Sequence, residues 1–378
     1  MAKAKKTTRF LLWIGIGCGV FTTTVALLVV LAPRYQSKSG WRTLEDTAAY
    51  AATMPELATP DNTNKVRPDY TTHHRAQIDG YLTSKFNTLR SWVGLKKAPA
   101  WSPSYFAHQL KETVGKFAQY KAQKNVVYKV APKAGTQFVV WGDLSGAYHS
   151  LVRCLHKLKE LSIVDNEFKI VADDTYLVFM GDAISRSPYG METLSLIMRL
   201  IEVNPDRVIY LRGNHEDKKY WHAFGLKEQL EARLAGVHEK ALVPVVDQFF
   251  SYLPLGLYVS VPGANGEYAR LSHLGRARSK KLKEERFAHF LAAPQQAAIG
   301  RHQFSKSVNH SGAVKIGAII RSEKKRHSFQ TMDGIRLLEP DQGATSWTLM
   351  SSPTRVMQEG FKFFHDAFAI IKVGTGKA

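Results

Sequence analysis

Val139–Leu151 reads VVWGDLSGAYHSL, and two later stretches repeat its form: Phe179–Ser187, FMGDAISRS, and Tyr210–Asp217, YLRGNHED. Each is a short apolar run that stops at a glycine followed by a polar residue. A run of four or five apolar residues closed by a glycine corner predicts a buried strand. The spacing of Leu151, Leu155 and Leu158 after the first corner, and of Leu194, Ile197 and Leu200 after the second, predicts helices. Strands over 138–141, 176–180 and 208–211 alternating with helices define a layered α/β sandwich. Because every strand ends in a polar corner, the functional side chains collect at one edge of the sheet, where α/β folds bind ligands.

The corners carry metal-ligand chemistry. Asp143, Asp182 and Asn214, joined by His273 in YARLSHLG, supply the carboxylate, amide and imidazole donors used by hard or borderline divalent ions. A carboxylate shared between two such ions is the usual device of phosphate-ester hydrolysis. A single GD reads equally well as a turn whose aspartate caps the next helix. Three corners in register, one of them LRGNHE, favour the ligand reading. Residue by residue, alternatives stay open: Asn214 and His215 as helix caps, His273 as a core histidine, Arg186 as one half of a surface ion pair.

These segments resemble the calcineurin-like metallophosphoesterase superfamily, and within it the phosphoprotein phosphatases that act on serine and threonine. That family runs GD-x-H-G, GD-x-x-D-R-G, L-R-G-N-H-E, an H-G-G after L-P-L, R-x-H and T-x-F-S-A-P. Here the order is GDLSG at Gly142, GDAISRS at Gly181, LRGNHE at Leu211, LPL at Leu253, SHLG at Ser272, IIRSE at Ile319 and WTLMSSP at Trp347, with FHDAFAIIKV as a last strand. The resemblance implies a β-sandwich flanked by helices, two divalent ions (manganese, iron or zinc), and attack of a metal-bound hydroxide on a phosphomonoester. It places Asp143 on the first ion, Asp182 between both, and Asn214 and His273 on the second. His215 becomes the proton donor to the leaving alcohol, with Arg186 and Arg301 as phosphate clamps; a planar, bidentate guanidinium suits that role.

Three positions depart from the pattern. Ser145 stands where the family has a metal-binding histidine, Ser185 where it has a second aspartate, and Glu323 where its last metal histidine belongs. A carboxylate at 323 still ligates harder ions. Ser185 removes support from the phosphate site and from His215. A hydroxyl at 145 is a poor ligand, which weakens the first ion and leaves one ion firmly bound, with His149, one turn on, as a substitute only if it swings in. The resulting expectation is a metal-dependent phosphomonoesterase acting on phosphorylated protein, with a catalytically impaired pseudophosphatase, a binding or scaffold module, as the alternative.

Charge and the N-terminus bound the rest. A net charge of +20 over 378 residues and a pI near 9.8 point to anionic partners, whether phosphate, membrane surface or nucleic acid. No nucleic-acid module is recognisable, so specific nucleic-acid binding is not expected. The basic runs Arg276–Arg286 and Arg321–His327 read as solvated faces or as an electropositive rim that attracts a phosphorylated protein or anionic lipid. Two cysteines, Cys18 and Cys154, exclude a disulfide framework. Phe10–Ala32, FLLWIGIGCGVFTTTVALLVVLA, has no charge and the length of one membrane-spanning helix. The basic residues 1–9 in front of it place the N-terminus in the cytoplasm and the catalytic domain across the membrane; a cleaved secretory signal, or secretion as an effector, is the competing reading. Residues 33–80, rich in Thr, Ser, Asp, Pro and Asn, read as a stalk, 81–132 as a helical lead-in, with apolar spacing at Phe106, Leu110, Val114 and Phe117, and 133–374 as the metallophosphoesterase domain.

Overall fold

A computed structural model describes residues 40–54, 101–117, 125–234, 237–263, 267–273, 298–300, 315–322, 335–341, 344–349, 351 and 366–374. The apolar segment 10–32, the basic N-terminus, Arg301, Glu323 and most of both basic runs lie outside these residues. In chain order the elements are α1 (Leu44–Ala51), α2 (Pro103–Phe117), β1 (Asn125–Val130), β2 (Gln137–Trp141), α3 (Tyr148–Glu160), β3 (Thr175–Phe179), α4 (Gly190–Val203) and β4 (Val208–Tyr210). There follow α5 (Lys218–Ala223), α6 (Leu226–Arg233), α7 (Val237–Tyr252), β5 (Leu257–Ser260), β6 (Glu267–Ser272), β7 (Ala298–Gly300), β8 (Lys315–Arg321), β9 (Ile335–Asp341), β10 (Ala344–Leu349) and β11 (Ala369–Lys372).

The strands form two sheets. The smaller has the order β11-β2-β3-β4, with β2, β3 and β4 parallel and β11 antiparallel on β2. The larger has the order β7-β1-β5-β6-β8-β10-β9 and mixes parallel and antiparallel pairs. Alternation along each strand decides what meets what. Phe138, Val140, Val178, Met180, Ile209 and Leu211 of the small sheet and its corners pack against Leu257, Val259, Leu271, Ile320 and Leu349 of the large one. The intervening residues Val139, Trp141, Leu177 and Phe179 belong to a second core shared with Leu151, Leu155 and Leu158 of α3 and Leu194, Ile197 and Leu200 of α4. Strands buried on both faces read in sequence as unbroken apolar runs, which is why VVW and LVFM stand out. Trp141 stacks on Phe179 at 4.7 Å between ring centres, so the parallel β2–β3 pair is locked by its largest side chains.

The sandwich and its helices match the expected architecture, and α2 buries Phe106, Leu110 and Val114 as its spacing predicts. One expectation needs correction. Within the segment read as stalk, residues 41–54 are part of the folded domain: Trp41 and Leu44 are fully buried, and Trp41 stacks on Trp101 and Tyr148. Thr43 starts α1 with a reciprocal cap, its hydroxyl accepting from Asp46 N–H at 3.1 Å and the Asp46 carboxylate accepting from Thr43 N–H at 3.0 Å. An eight-residue helix is too short to show a sustained period, and its signal was this Thr-x-x-Asp cap. Among the described residues no helix is long and apolar enough to cross a membrane.

Candidate metal centre and phosphate site

The corners after β2, β3 and β4 and the ends of β6 and β8 meet at one edge of the sandwich. Two glycines let them approach. Gly181 has φ +98, and a Cβ there would lie 2.3 Å from the Gly213 nitrogen; a Cβ on Gly213 would lie 2.2 Å from Asp182 Oδ1. The first two corners are joined by backbone, with Ser145 N–H donating to Asp182 O and Gly146 N–H to Ala183 O, both at 2.8 Å. Ser145, Asp182, Ser185 and Arg186 all have positive φ, conformations that side-chain-bearing residues adopt at a cost of order 1–3 kcal/mol each and that cluster at functional sites.

Four of the predicted residues converge. Donor atoms of Asp143, Asp182 and His273, all buried, lie within 4.8 Å of one another. His273 Nε2 is 3.2 Å from Asp182 Oδ2 and 2.7 Å from Asn214 Oδ1, while Nδ1 is 3.4 Å from Asp143 Oδ1 and 2.8 Å from the Ser322 hydroxyl. Asp143 Oδ1 is buried without a hydrogen-bond partner. Burial pushes the Asp143 carboxyl up to about 8, with Asp182 adding to the rise and His273 opposing it. Burial acts the same way on Asp182, but the adjacent His273 and the bonds from His215 outweigh it and hold this carboxyl below its usual range. Burial would lower His273, yet Asp182 and Asp143 override it and raise the imidazole to about 10. One proton on His273 is thus the only positive charge among these three buried groups. Carboxylate, imidazole and amide oxygen with an orphaned buried acceptor fit a divalent cation in place of that proton.

His215 and Arg186 stand beside this cluster. His215 N–H donates to Asp182 Oδ1 at 2.8 Å, and its ring is fixed at both nitrogens: Nδ1 lies 2.8 Å from the Ser185 hydroxyl and Nε2 lies 3.3 Å from Arg186 Nη2. The guanidinium has only donors, so Nε2 accepts and Nδ1 carries the proton towards Ser185. Burial is the main reason the imidazole is depressed to about 4, with Arg186 and His273 adding to the effect against Asp182. Arg186 itself is exposed. Ser185 therefore occupies a supporting place with a hydroxyl in contact with the ring.

Ser145 is half-buried, at positive φ two residues after Asp143. His149 does not replace it: its Nε2 lies 3.1 and 3.3 Å from the carbonyls of Ala51 and Met54, which ties it to the end of α1.

Two residues without a role in the sequence reading complete the scaffold. Glu216 is fully buried and accepts from Asp182 N–H, Gly213 N–H and Ala183 N–H and from the Tyr210 hydroxyl at 2.7–3.0 Å, so one carboxylate fastens the second corner to the third. The motif RGNHE already contained it. Ser322, fully buried at the end of β8, reaches His273 from a position 49 residues away, a partnership no local pattern signals.

Residues 136–314 match the family model for calcineurin-like phosphoesterases. The chain is 30% identical over 161 residues to the serine/threonine-protein phosphatase rdgC of Drosophila melanogaster, covering 43% of this chain and 22% of that protein. It is 31% identical over 90 residues to the serine/threonine-protein phosphatase SIT4 of Candida albicans, 24% of this chain and 26% of that one. A solved structure of a Saccharomyces cerevisiae serine/threonine phosphatase with similarity to human phosphatase PP5 aligns over 75% of this chain and 93% of that chain, with 15% identity and a TM-score of 0.47. The chain spans about a quarter of the length of the two curated relatives. The matched segment runs from the first strand of the small sheet, β2, through the three corners to β7.

Proposed function

We propose that the protein is a metal-dependent phosphomonoesterase of the protein-phosphatase type, acting on phosphorylated protein. The observation that carries this reading is the meeting of Asp143, Asp182 and His273 in one buried cluster, with His215 and Arg186 beside it. Asp143, Asp182, Asn214 and His273 would hold the metal, with Glu323 as a further ligand, and Arg301 would join Arg186 in binding phosphate. When bound, divalent ions acidify water and offset the charge of the phosphate. The protein's own residues do the rest. Arg186 binds two phosphate oxygens and in doing so leaves His215 Nε2. A phosphate dianion beside that nitrogen favours the imidazolium, and Ser185 keeps the ring in place through Nδ1. A water oxygen then bonds to phosphorus, its protons staying on the phosphate that is released, while the bond from phosphorus to the leaving oxygen breaks, the electron pair stays on that oxygen, and His215 supplies its proton.

Phe10–Ala32 anchors the chain as a single membrane span, with Lys3, Lys5, Lys6 and Arg9 on the cytoplasmic side and the phosphoesterase domain on the other. The test of the activity is hydrolysis of an aryl phosphate by the full chain with manganese, magnesium, iron or zinc, beside Asp182→Asn. Turnover that requires metal and is lost in the variant upholds the reading. A folded protein inactive with every metal overturns it and leaves a binding module.

A further inference from the structure

The group that His215 would protonate is bonded to the rest of the substrate, so whatever packs on His215 determines which leaving group fits. Two aromatic rings do so. Tyr220 on α5 and Phe224, which caps the C-terminus of that helix, lie four residues apart and hence on one face. Their ring centres are 5.6 and 4.9 Å from the His215 imidazole, and they stack on each other at 5.9 Å with planes 10° apart. Both are half-buried while His215 is buried. The phosphate clamp is tied to the same pair: Arg186 N–H donates to Phe224 O at 3.0 Å, and the Arg186 guanidinium carbon lies 5.6 Å from the centre of the Phe224 ring. Behind them Trp221 is fully buried and donates to Asp247 at 3.0 Å, which fixes α5 and the angle at which it presents the rings.

From this arrangement we infer that Tyr220 and Phe224 form a leaving-group subsite for a flat aromatic body, so that the preferred substrates are aryl phosphates, phosphotyrosine in a protein among them, over alkyl phosphates. The inference rests on the phosphoesterase reading. Its reason is geometric. A short alkyl group on the leaving oxygen reaches little of either ring, whereas a phenyl group at that position lies against them in edge or offset contact. The contact also places apolar surface, not water, beside the oxygen that must be protonated.

The test compares two ligands of nearly equal size, benzylphosphonate and cyclohexylmethylphosphonate, by calorimetric titration of the full chain with manganese, with inorganic phosphate as reference. An aromatic contact beyond simple area burial is worth about a 3- to 10-fold preference. The wild type is expected to favour the benzyl ligand by that factor, and Phe224→Leu and Tyr220→Leu, which keep apolar bulk and lose the ring, to bring the ratio towards unity. Because both ligands are measured on the same protein, a general loss of stability cancels. Equal affinities in the wild type, or a ratio unchanged in both variants, overturns the subsite while phosphate binding stands. If inorganic phosphate and both phosphonates fail to bind, the phosphoesterase reading fails and the subsite with it.

Discussion

At the scale of single residues, the site is governed by how each ring nitrogen and carboxylate oxygen is already spoken for. His273 presents Nε2 to Asp182 and Asn214 because Nδ1 is engaged by the Ser322 hydroxyl at 2.8 Å. Histidines that ligate metal commonly direct the other ring N–H to such a partner, and removing the partner costs roughly 10- to 100-fold in metal affinity. Ser322→Ala is therefore expected to weaken manganese binding by about that factor, while Ser322→Thr, which retains the hydroxyl, restores much of it. Isothermal titration and the manganese resonance spectrum measure this directly. Equal affinity in Ser322→Ala would make the serine mere filling. The same scale separates what the sequence revealed from what it hid. Asp143, Asp182 and Asn214 were legible because each follows a glycine corner, a local signature, and His273 because it closes the strand pattern YARLSHLG after LPL. Ser322 and the aromatic pair on His215 were not, since their meaning depends on neighbours that only the closed fold provides.

Between elements, the helices outside the small sheet are held by a buried ion pair. Glu192 of α4 is fully buried; both of its oxygens accept from the Arg233 guanidinium of α6, and Tyr50 of α1 donates to Oε1 at 3.1 Å. Arg233 also lies over the Trp101 ring at 4.9 Å, beside the Trp41–Trp101 stack that seats α1. Breaking one side of such a pair leaves an uncompensated buried charge and costs about 3–5 kcal/mol, whereas replacing both partners with apolar groups of similar volume is often close to neutral. Arg233→Met is accordingly expected to lower unfolding stability by about 3–5 kcal/mol, and Glu192→Leu combined with Arg233→Met to recover most of it. Denaturant unfolding of the two variants decides the matter; a double variant as unstable as the single one would show that packing of the arginine stem, not its charge, matters. This junction explains why α1 escaped a reading that found α2, α3 and α4. Helices of 13 to 15 residues declare themselves by repeated apolar spacing, but α1 is only eight residues long and is fastened by Tyr50, Trp41 and Leu44 to partners more than fifty residues away.

Over the whole molecule, the two sheets divide the chain unequally between what sequence shows and what assembly adds. The parallel β2-β3-β4 core follows from three consecutive strand–corner–helix units, each readable alone. The large sheet joins β7, β1, β5 and β6 to β8, β10 and β9 through pairings as distant as Asn125 with Gly300, and neither their order nor their register is written in any local run. The N-terminal segment is the reverse case, since its claim rests on composition alone. Phe10–Ala32 contains no charged residue, and an arginine at the centre of a spanning helix opposes insertion by about 2.5–3.5 kcal/mol. In the full chain, Val20→Arg together with Leu27→Arg is expected to release the protein from membranes under alkaline carbonate extraction, while the wild type stays in the pellet with its N-terminal mass intact. Protease added to sealed vesicles from the cytoplasmic side should then spare the phosphoesterase domain. Wild-type protein that is released, or that has lost its first thirty or so residues, would show a cleaved signal in place of an anchor; digestion of the domain from the cytoplasmic face would reverse its orientation.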